Sequence, residues 1–150
     1  MPRAFRENVA GEMTMDDDKL KWGRAVLAAQ PFSVLLGTEL LAFEPGRAEL
    51  ALDLKPEHLQ QHGFAHGGVV SYLADNALTY AGGSVLGDSL TLEFKINYLR
   101  PAKGNRLVAR ARVTGSGKSQ AVCHCDVFAV DGEGAEKLCA TAQGTIWKAG

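Results

Sequence analysis

The spacing of apolar residues along the chain is strand-like, then helical, then strand-like again. From Arg47 to Leu54 the period is two, with Ala48, Leu50, Leu52 and Leu54 on one face and Arg47, Glu49 and Asp53 on the other, which predicts a half-buried strand. From Gly67 to Gly82 the period turns helical. At about 100° per residue Val69, Val70, Leu73, Ala74, Ala77, Tyr80 and Ala81 share one arc, and Ser71, Tyr72, Asp75, Asn76 and Thr79 take the other side. Alternation returns after Gly82-Gly83. It predicts a strand with Leu90, Leu92, Phe94, Ile96 and Tyr98 on a single face, then strands over Leu107 to Val113, Ala121 to Ala129 and Leu138 to Ile146. Turn clusters at 101–105, 115–117 and 131–134 separate them. Upstream, Met15-Asp16-Asp17-Asp18 makes an acidic first turn suited to a helix start, and Pro31 ends that helix. The chain then runs through PFSVLLGTELLAFEPG to a turn at Glu44-Pro45-Gly46. Short turns imply antiparallel neighbours, so the late strands are expected to form a meander that buries the long helix, an α+β layer pair.

A chain of 150 residues buries roughly 70% of its unfolded surface on folding, so one domain over residues 1–150 is expected, with 1–31 as an N-terminal extension carrying a short helix. Sixteen Lys and Arg against seventeen Asp and Glu leave a formal net charge of -1. That removes the broad positive field needed for nucleic-acid or anionic-membrane binding, and a small-molecule partner is expected. No run approaches the ~20 apolar residues of a membrane span, and Arg3 and Arg6 have no apolar stretch behind them, which predicts a cytoplasmic protein. Cys123 and Cys125 are too close for ordinary disulfide geometry, so reduced thiols are expected. His58, His62 and His66 are four apart, but Gly63, Gly67 and Gly68 interrupt the helix they would share, and no metal is expected. GSGKS at 115–119 lacks the upstream glycine of a phosphate loop and lies between two strands, so it reads as a hairpin turn.

The segment with chemical content is Gln60-Gln61-His62-Gly63-Phe64-Ala65-His66-Gly67-Gly68-Val69, which runs into the helix carrying Asp75. Two glycines at a helix start let a ligand approach free backbone N–H groups at the positive end of the macrodipole, a device for polarising a carbonyl. A carboxylate two turns on, off the packing face, suits a nucleophile or general base. The same residues also fit a tight turn, a capping His66 and an exposed helix acid. If the sheet buries the apolar arc, Asp75 points away from the core and needs a second subunit to close a dry pocket around it.

HGFAHGGVVSYLADNALTYA followed by TLEFKINYLRPAKG resembles the hotdog-fold acyl-CoA thioesterases of the PaaI type, the phenylacetate-pathway and 4-hydroxybenzoyl-CoA thioesterase-like enzymes, over roughly residues 32 to 148. The resemblance implies the hotdog fold, an antiparallel sheet wrapped around one long helix, and active sites shared between subunits of a dimer or tetramer. It implies hydrolysis of an aryl- or medium-chain acyl-CoA with no cofactor. The N–H of Gly67 would polarise the thioester carbonyl, Asp75 of the other subunit would attack it or activate water, and Gln60 would orient thioester or water. His66, Gly68, Thr79 and Thr91 would support them. Phe64, Tyr72 and Tyr80 are compatible with an aromatic or medium-chain acyl pocket. The phosphates of coenzyme A call for basic donors, for which Arg100, Lys103 and Arg106 are the candidates. Two other readings are a hydratase or dehydratase of the same fold, which would use His62 or His66 with the acid, and a non-catalytic acyl-CoA-binding module.

Overall fold

The computed structural model describes residues 15–150; positions 1–14 of the N-terminal extension lie outside the described residues. Along the chain run α1 (Met15–Ala28), α2 (Pro31–Leu36), β1 (Glu39–Glu44), β2 (Arg47–Asp53), a 3₁₀ turn (Pro56–His58), α3 (Gly67–Leu86), β3 (Ser89–Tyr98), β4 (Arg106–Ser116), β5 (Gln120–Val130) and β6 (Glu136–Lys148). The six strands form one antiparallel sheet in the order β1-β2-β4-β5-β6-β3. One face of the sheet covers α3, as the hotdog architecture requires.

The predicted inward faces of β2, β4 and β5 are inward. Ala48, Leu50, Leu52, Leu107, Ala109, Ala111, Ala121, Cys123, Cys125, Val127 and Ala129 are all buried. Many are small, and they meet Ala74, Ala77 and Ala81 of α3, so the helix axis sits close to the sheet. The three cysteines are free and buried. GSGKS is the turn of the β4–β5 hairpin, closed by the Gly117 N–H donating to Gln120 O at 2.8 Å.

Several expectations are corrected. The helix does not end at Gly82-Gly83 but runs to Leu86, and Gly82 is glycine because a Cβ there would stand 2.6 Å from Cβ of Ile146. Gly82 is a packing contact inside the helix, not its end. Pro31 both follows one helix and opens the next, since its fixed φ and missing N–H suit a first helical position. The late strands are not a four-strand meander, because only β4, β5 and β6 are consecutive neighbours. β3 pairs instead with β6 at the far edge, and residues 99–105 cross the strand ends to reach β4. Three strand spacings are about 14 Å, and seven residues span that with ease. The crossing chain is fastened on the way: Leu99 N–H donates to Cys139 O, and Asn105 N–H to Val130 O, both at 2.8 Å.

Finally, Leu90 and Leu92 do not share a buried face with Phe94 and Ile96. The β3–β6 register slips between Thr91 and Glu93, leaving Leu90 and Leu92 65% and 61% exposed. A bulge of this kind adds one unpaired residue and reverses the faces on either side of it. Thr91 therefore turns inward. No helix among the described residues is long and apolar enough to cross a membrane.

Candidate functional site

The loop before α3 is built to present a helix start. Gly63, at φ 84°, closes a tight turn in which the Gln60 N–H donates to Phe64 O at 2.9 Å and the Gly63 N–H to Gln60 O at 3.0 Å. Ala65 N–H donates to Ala102 O, and His66 N–H to His58 O, clamping the loop to the β3–β4 crossing and the 3₁₀ turn. His66 is the N-cap: its Nδ1 accepts from the Gly68 N–H at 2.8 Å, and its main-chain carbonyl accepts from the N–H groups of Val69 and Val70. A Cβ at Gly68 would press to 3.0 Å from that ring nitrogen, which accounts for the second glycine. Of the helix's first four donors only the Gly67 N–H has no partner among the described residues. A carbonyl oxygen or oxyanion suits it.

Gln60 belongs to the same loop. Its Oε1 accepts from the His62 N–H at 2.6 Å and the Phe64 N–H at 3.2 Å, so the side-chain oxygen is occupied and the NH₂ end remains to donate. Gln60, Phe64, Gly67, Tyr98 and Arg100 line one pocket of about 440 Å³. Tyr98, read from the sequence as a core strand residue, reaches the helix start: its OH donates to Gly67 O at 3.0 Å and also bonds Ser71 Oγ. Strand parity puts Tyr98 on the helix side, but that it meets the first turn of α3 is set by the tertiary structure.

Asp75 lies two turns further along α3, partly exposed. Thr91, turned inward by the bulge, donates to its Oδ1 at 2.5 Å, and Thr79 Oγ1 stands 2.7 Å from Thr91 Oγ1 and 2.9 Å from the Asp75 carbonyl oxygen. Two hydroxyl protons serve three contacts. The carboxylate is the strongest acceptor, so the consistent arrangement runs from Thr79 to Thr91 to Asp75, with the back-bond to the helix carbonyl secondary. One carboxylate oxygen is thereby held. The structure brings Asp75, Thr79 and Thr91 together and, separately, Gln60, His66, Gly67 and Gly68. Eight helical residues separate Gly67 from Asp75, about 12 Å at 1.5 Å per residue, so within one chain the two cannot touch the same carbonyl.

A groove of about 800 Å³ adjoins the Gly67 pocket and shares Phe64, Arg100, Pro101 and Cys139 with it. Arg100 and Lys103 line it. Lys137, at the start of β6, lines it too and was not singled out by sequence, where it is one more residue after a turn. Arg106 is elsewhere: its guanidinium is 2.8 Å from Asp53 and 3.4 Å from Glu39. Glu136 at the groove rim is paired with Arg110 at 2.6 Å, a hydrogen bond that holds its carboxyl below the usual range. Tyr72 lies outside both pockets, its OH bonded to Ser33 Oγ at 2.6 Å and Thr38 Oγ1 at 2.7 Å. Cys139 lines both, but burial pushes its thiol up to about 11 and its Sγ points at Val127 O, which makes it a poor nucleophile. His58 Nδ1 accepts from the Lys55 N–H, and among the described residues no three His, Cys, Asp or Glu side chains cluster as a metal site.

Comparison with known proteins gives a consistent picture. Residues 62–136 match the family described as the thioesterase superfamily. Human acyl-coenzyme A thioesterase 13 is 30% identical over 69% of this chain and 77% of its own. The crystal structure of a thioesterase family protein from Silicibacter pomeroyi superposes with a TM-score of 0.79 at 37% identity, covering 83% of this chain and 93% of that one. The PaaI protein of the Escherichia coli phenylacetic acid degradation operon superposes at 0.74, with 26% identity over 86% and 93% of the two chains.

Proposed function

Since the chain belongs to the thioesterase superfamily, with its hotdog fold, we propose that it is an acyl-CoA thioesterase of the PaaI type whose active site joins Gly67 of one subunit to Asp75 of another. The observation that carries the proposal is the half-buried Asp75 carboxylate, held on one oxygen by Thr91 where α3 meets β3 and with no hydrogen bond to the other among the described residues. The 12 Å between it and Gly67 is the reason for the second chain, because a reacting carbonyl needs both groups within roughly 3 Å. The free edge of β3, with Leu90 and Leu92 exposed beside it, is where that second chain would pair.

The thioester carbonyl oxygen accepts from the Gly67 N–H, with the Gln60 NH₂ as a second donor. Asp75 takes a proton from water as the water oxygen bonds to the carbonyl carbon; in the alternative route its free oxygen bonds to that carbon, the thiolate leaves, and water then hydrolyses the resulting acyl anhydride to the free acid. The oxyanion that forms sits at the positive end of α3. Collapse breaks the carbon–sulfur bond, and the proton held by Asp75 passes to the departing sulfur. His66 holds the Gly68 N–H and supports the turn, while Thr79 and Thr91 fix the carboxylate.

A mixing experiment tests the shared site. Chains carrying Asp75→Asn and chains carrying Gly67→Pro are each expected to be inactive. Equal mixing with subunit exchange should restore about a quarter of wild-type activity, because half the dimers are mixed and each holds one whole site. No recovery after exchange is verified would refute the shared site.

The groove lined by Arg100, Lys103 and Lys137 would hold the phosphates of the coenzyme. Arg106, already paired to two carboxylates, drops out of that role. Arg100→Ala is expected to raise KM for acyl-CoA roughly tenfold with little change in kcat, and to leave hydrolysis of the matching pantetheine thioester nearly unchanged. Steady-state kinetics on the two substrates checks it; equal losses on both would remove Arg100 from phosphate binding.

A further inference from the structure

Resting on the thioesterase reading above, we infer that the recess between α1 and α3 receives the acyl group and that Trp22 of α1 limits how long an acyl group fits. The recess holds about 130 Å³. That is close to the roughly 150 Å³ of an apolar cavity known to admit benzene, so it takes a single ring or a chain of about six carbons. Its lining reaches the neighbourhood of the carboxylate: Asn76 and Thr79, the residues of α3 nearest Asp75 that line it, include Thr79 of the hydroxyl chain that holds Asp75. From there it runs toward the C-terminal end of α3, away from the Gly67 end and the cationic groove. A thioester whose carbonyl lies at Asp75 would therefore send its acyl part into this chain and its coenzyme toward the partner.

The inner wall is aromatic and fixed. Phe43 meets Tyr80 edge-on at 5.4 Å between centroids and Trp22 in a stacked arrangement at 6.2 Å. The Tyr80 OH donates to Gly23 O at 2.8 Å, and Lys19 Nζ to Ser84 O at 3.2 Å, so α1 is tied to α3 on either side of Trp22. Trp22 still leaves 57% of its surface open. Gly83 supplies an independent observation. It is a glycine inside a helix, which is unfavourable, and unlike Gly82 it has no close neighbour in the chain to require it: a Cβ there would meet only Ser89 Oγ, at 3.8 Å. Gly83 lines the recess, and the missing side chain is part of its volume. α1 also lies outside residues 62–136, so Trp22 is not part of the matched family core, whereas Tyr80 and Gly83 are.

The test is kcat/KM over acetyl-, hexanoyl-, phenylacetyl- and dodecanoyl-CoA for the wild type and two variants with opposite effects. The wild type is expected to favour hexanoyl- and phenylacetyl-CoA over dodecanoyl-CoA. Trp22→Ala should raise the dodecanoyl-to-hexanoyl ratio about tenfold or more, within the range that a few apolar contacts discriminate. Gly83→Leu should lower hexanoyl- and phenylacetyl-CoA by about tenfold while acetyl-CoA stays within about threefold. If Trp22→Ala does not fold, the Gly83→Leu profile decides alone. A wild type that hydrolyses these thioesters while the variant profiles match its own overturns the acyl-recess assignment and leaves the thioesterase reading standing. A wild type with no activity on any of the four overturns that reading itself.

Discussion

Asp75→Asn is expected to lower kcat by about 10² or more while leaving the thermal midpoint within a degree or two of wild type. The asparagine keeps the shape and still offers Thr91 an oxygen to donate to, so the packing of β3 against α3 survives. What it loses is the negative charge that takes the proton or attacks the carbonyl. Turnover and thermal unfolding measured on the same preparation separate these effects. A variant retaining more than about a tenth of the wild-type rate would make Asp75 an exposed helix residue and nothing more, because removal of a reacting carboxylate costs far more than that. Thr91→Val is a milder companion, since the carboxylate remains but loses its anchor.

Gly67→Pro is expected to lower kcat by about 10²–10³ in a protein that still folds. Proline is normally disruptive in a helix, but Gly67 is the first helical residue, where the ring's fixed φ is favourable and the missing N–H leaves no helical bond unmade. The preceding residue also fits: His66 has φ -60° and ψ 137°, the extended conformation that a residue before proline requires. The substitution thus deletes the one unpartnered donor and little else. Gly67→Ala is the control. Its Cβ would rest 3.5 Å from the Tyr98 ring, an ordinary contact, and its N–H remains, so it should keep most of the activity. Equal losses in both variants would mean that the space at Gly67, and not its N–H, is what the site needs. Circular dichroism and thermal unfolding establish that each variant is folded.

The local geometry of the proposed site was legible in the sequence because it depends on near neighbours. His66, Gly67 and Gly68 form a helix start by local rules of capping and backbone freedom, and Asp75 follows at a helical spacing that puts it off the apolar arc. Thr91 shows where such reasoning stops. Strict alternation puts it on the face with Lys95 removed from the helix, and only the slipped β3–β6 register turns it toward Asp75. A bulge is chosen by the pairing of two strands distant in sequence, so no window of either one reports it. Arg106 fails in the other direction: sequence places it beside Arg100 and Lys103, but its partners Asp53 and Glu39 come from β2 and β1.

By itself the sequence determined the helix of α3, the inward faces of β2, β4 and β5, and the turn that leaves an N–H free, because each is encoded in the period or chemistry of consecutive residues. The tertiary structure decided the rest. It set β3 at the far edge beside β6, packed the bare Gly82 of α3 against Ile146, brought Tyr98 to the helix start, and laid α1 along the recess with Trp22 at its wall. Each of these joins residues far apart in the chain, through van der Waals fit and hydrogen bonds that form only when both partners are in place, and local spacing carries no record of such meetings.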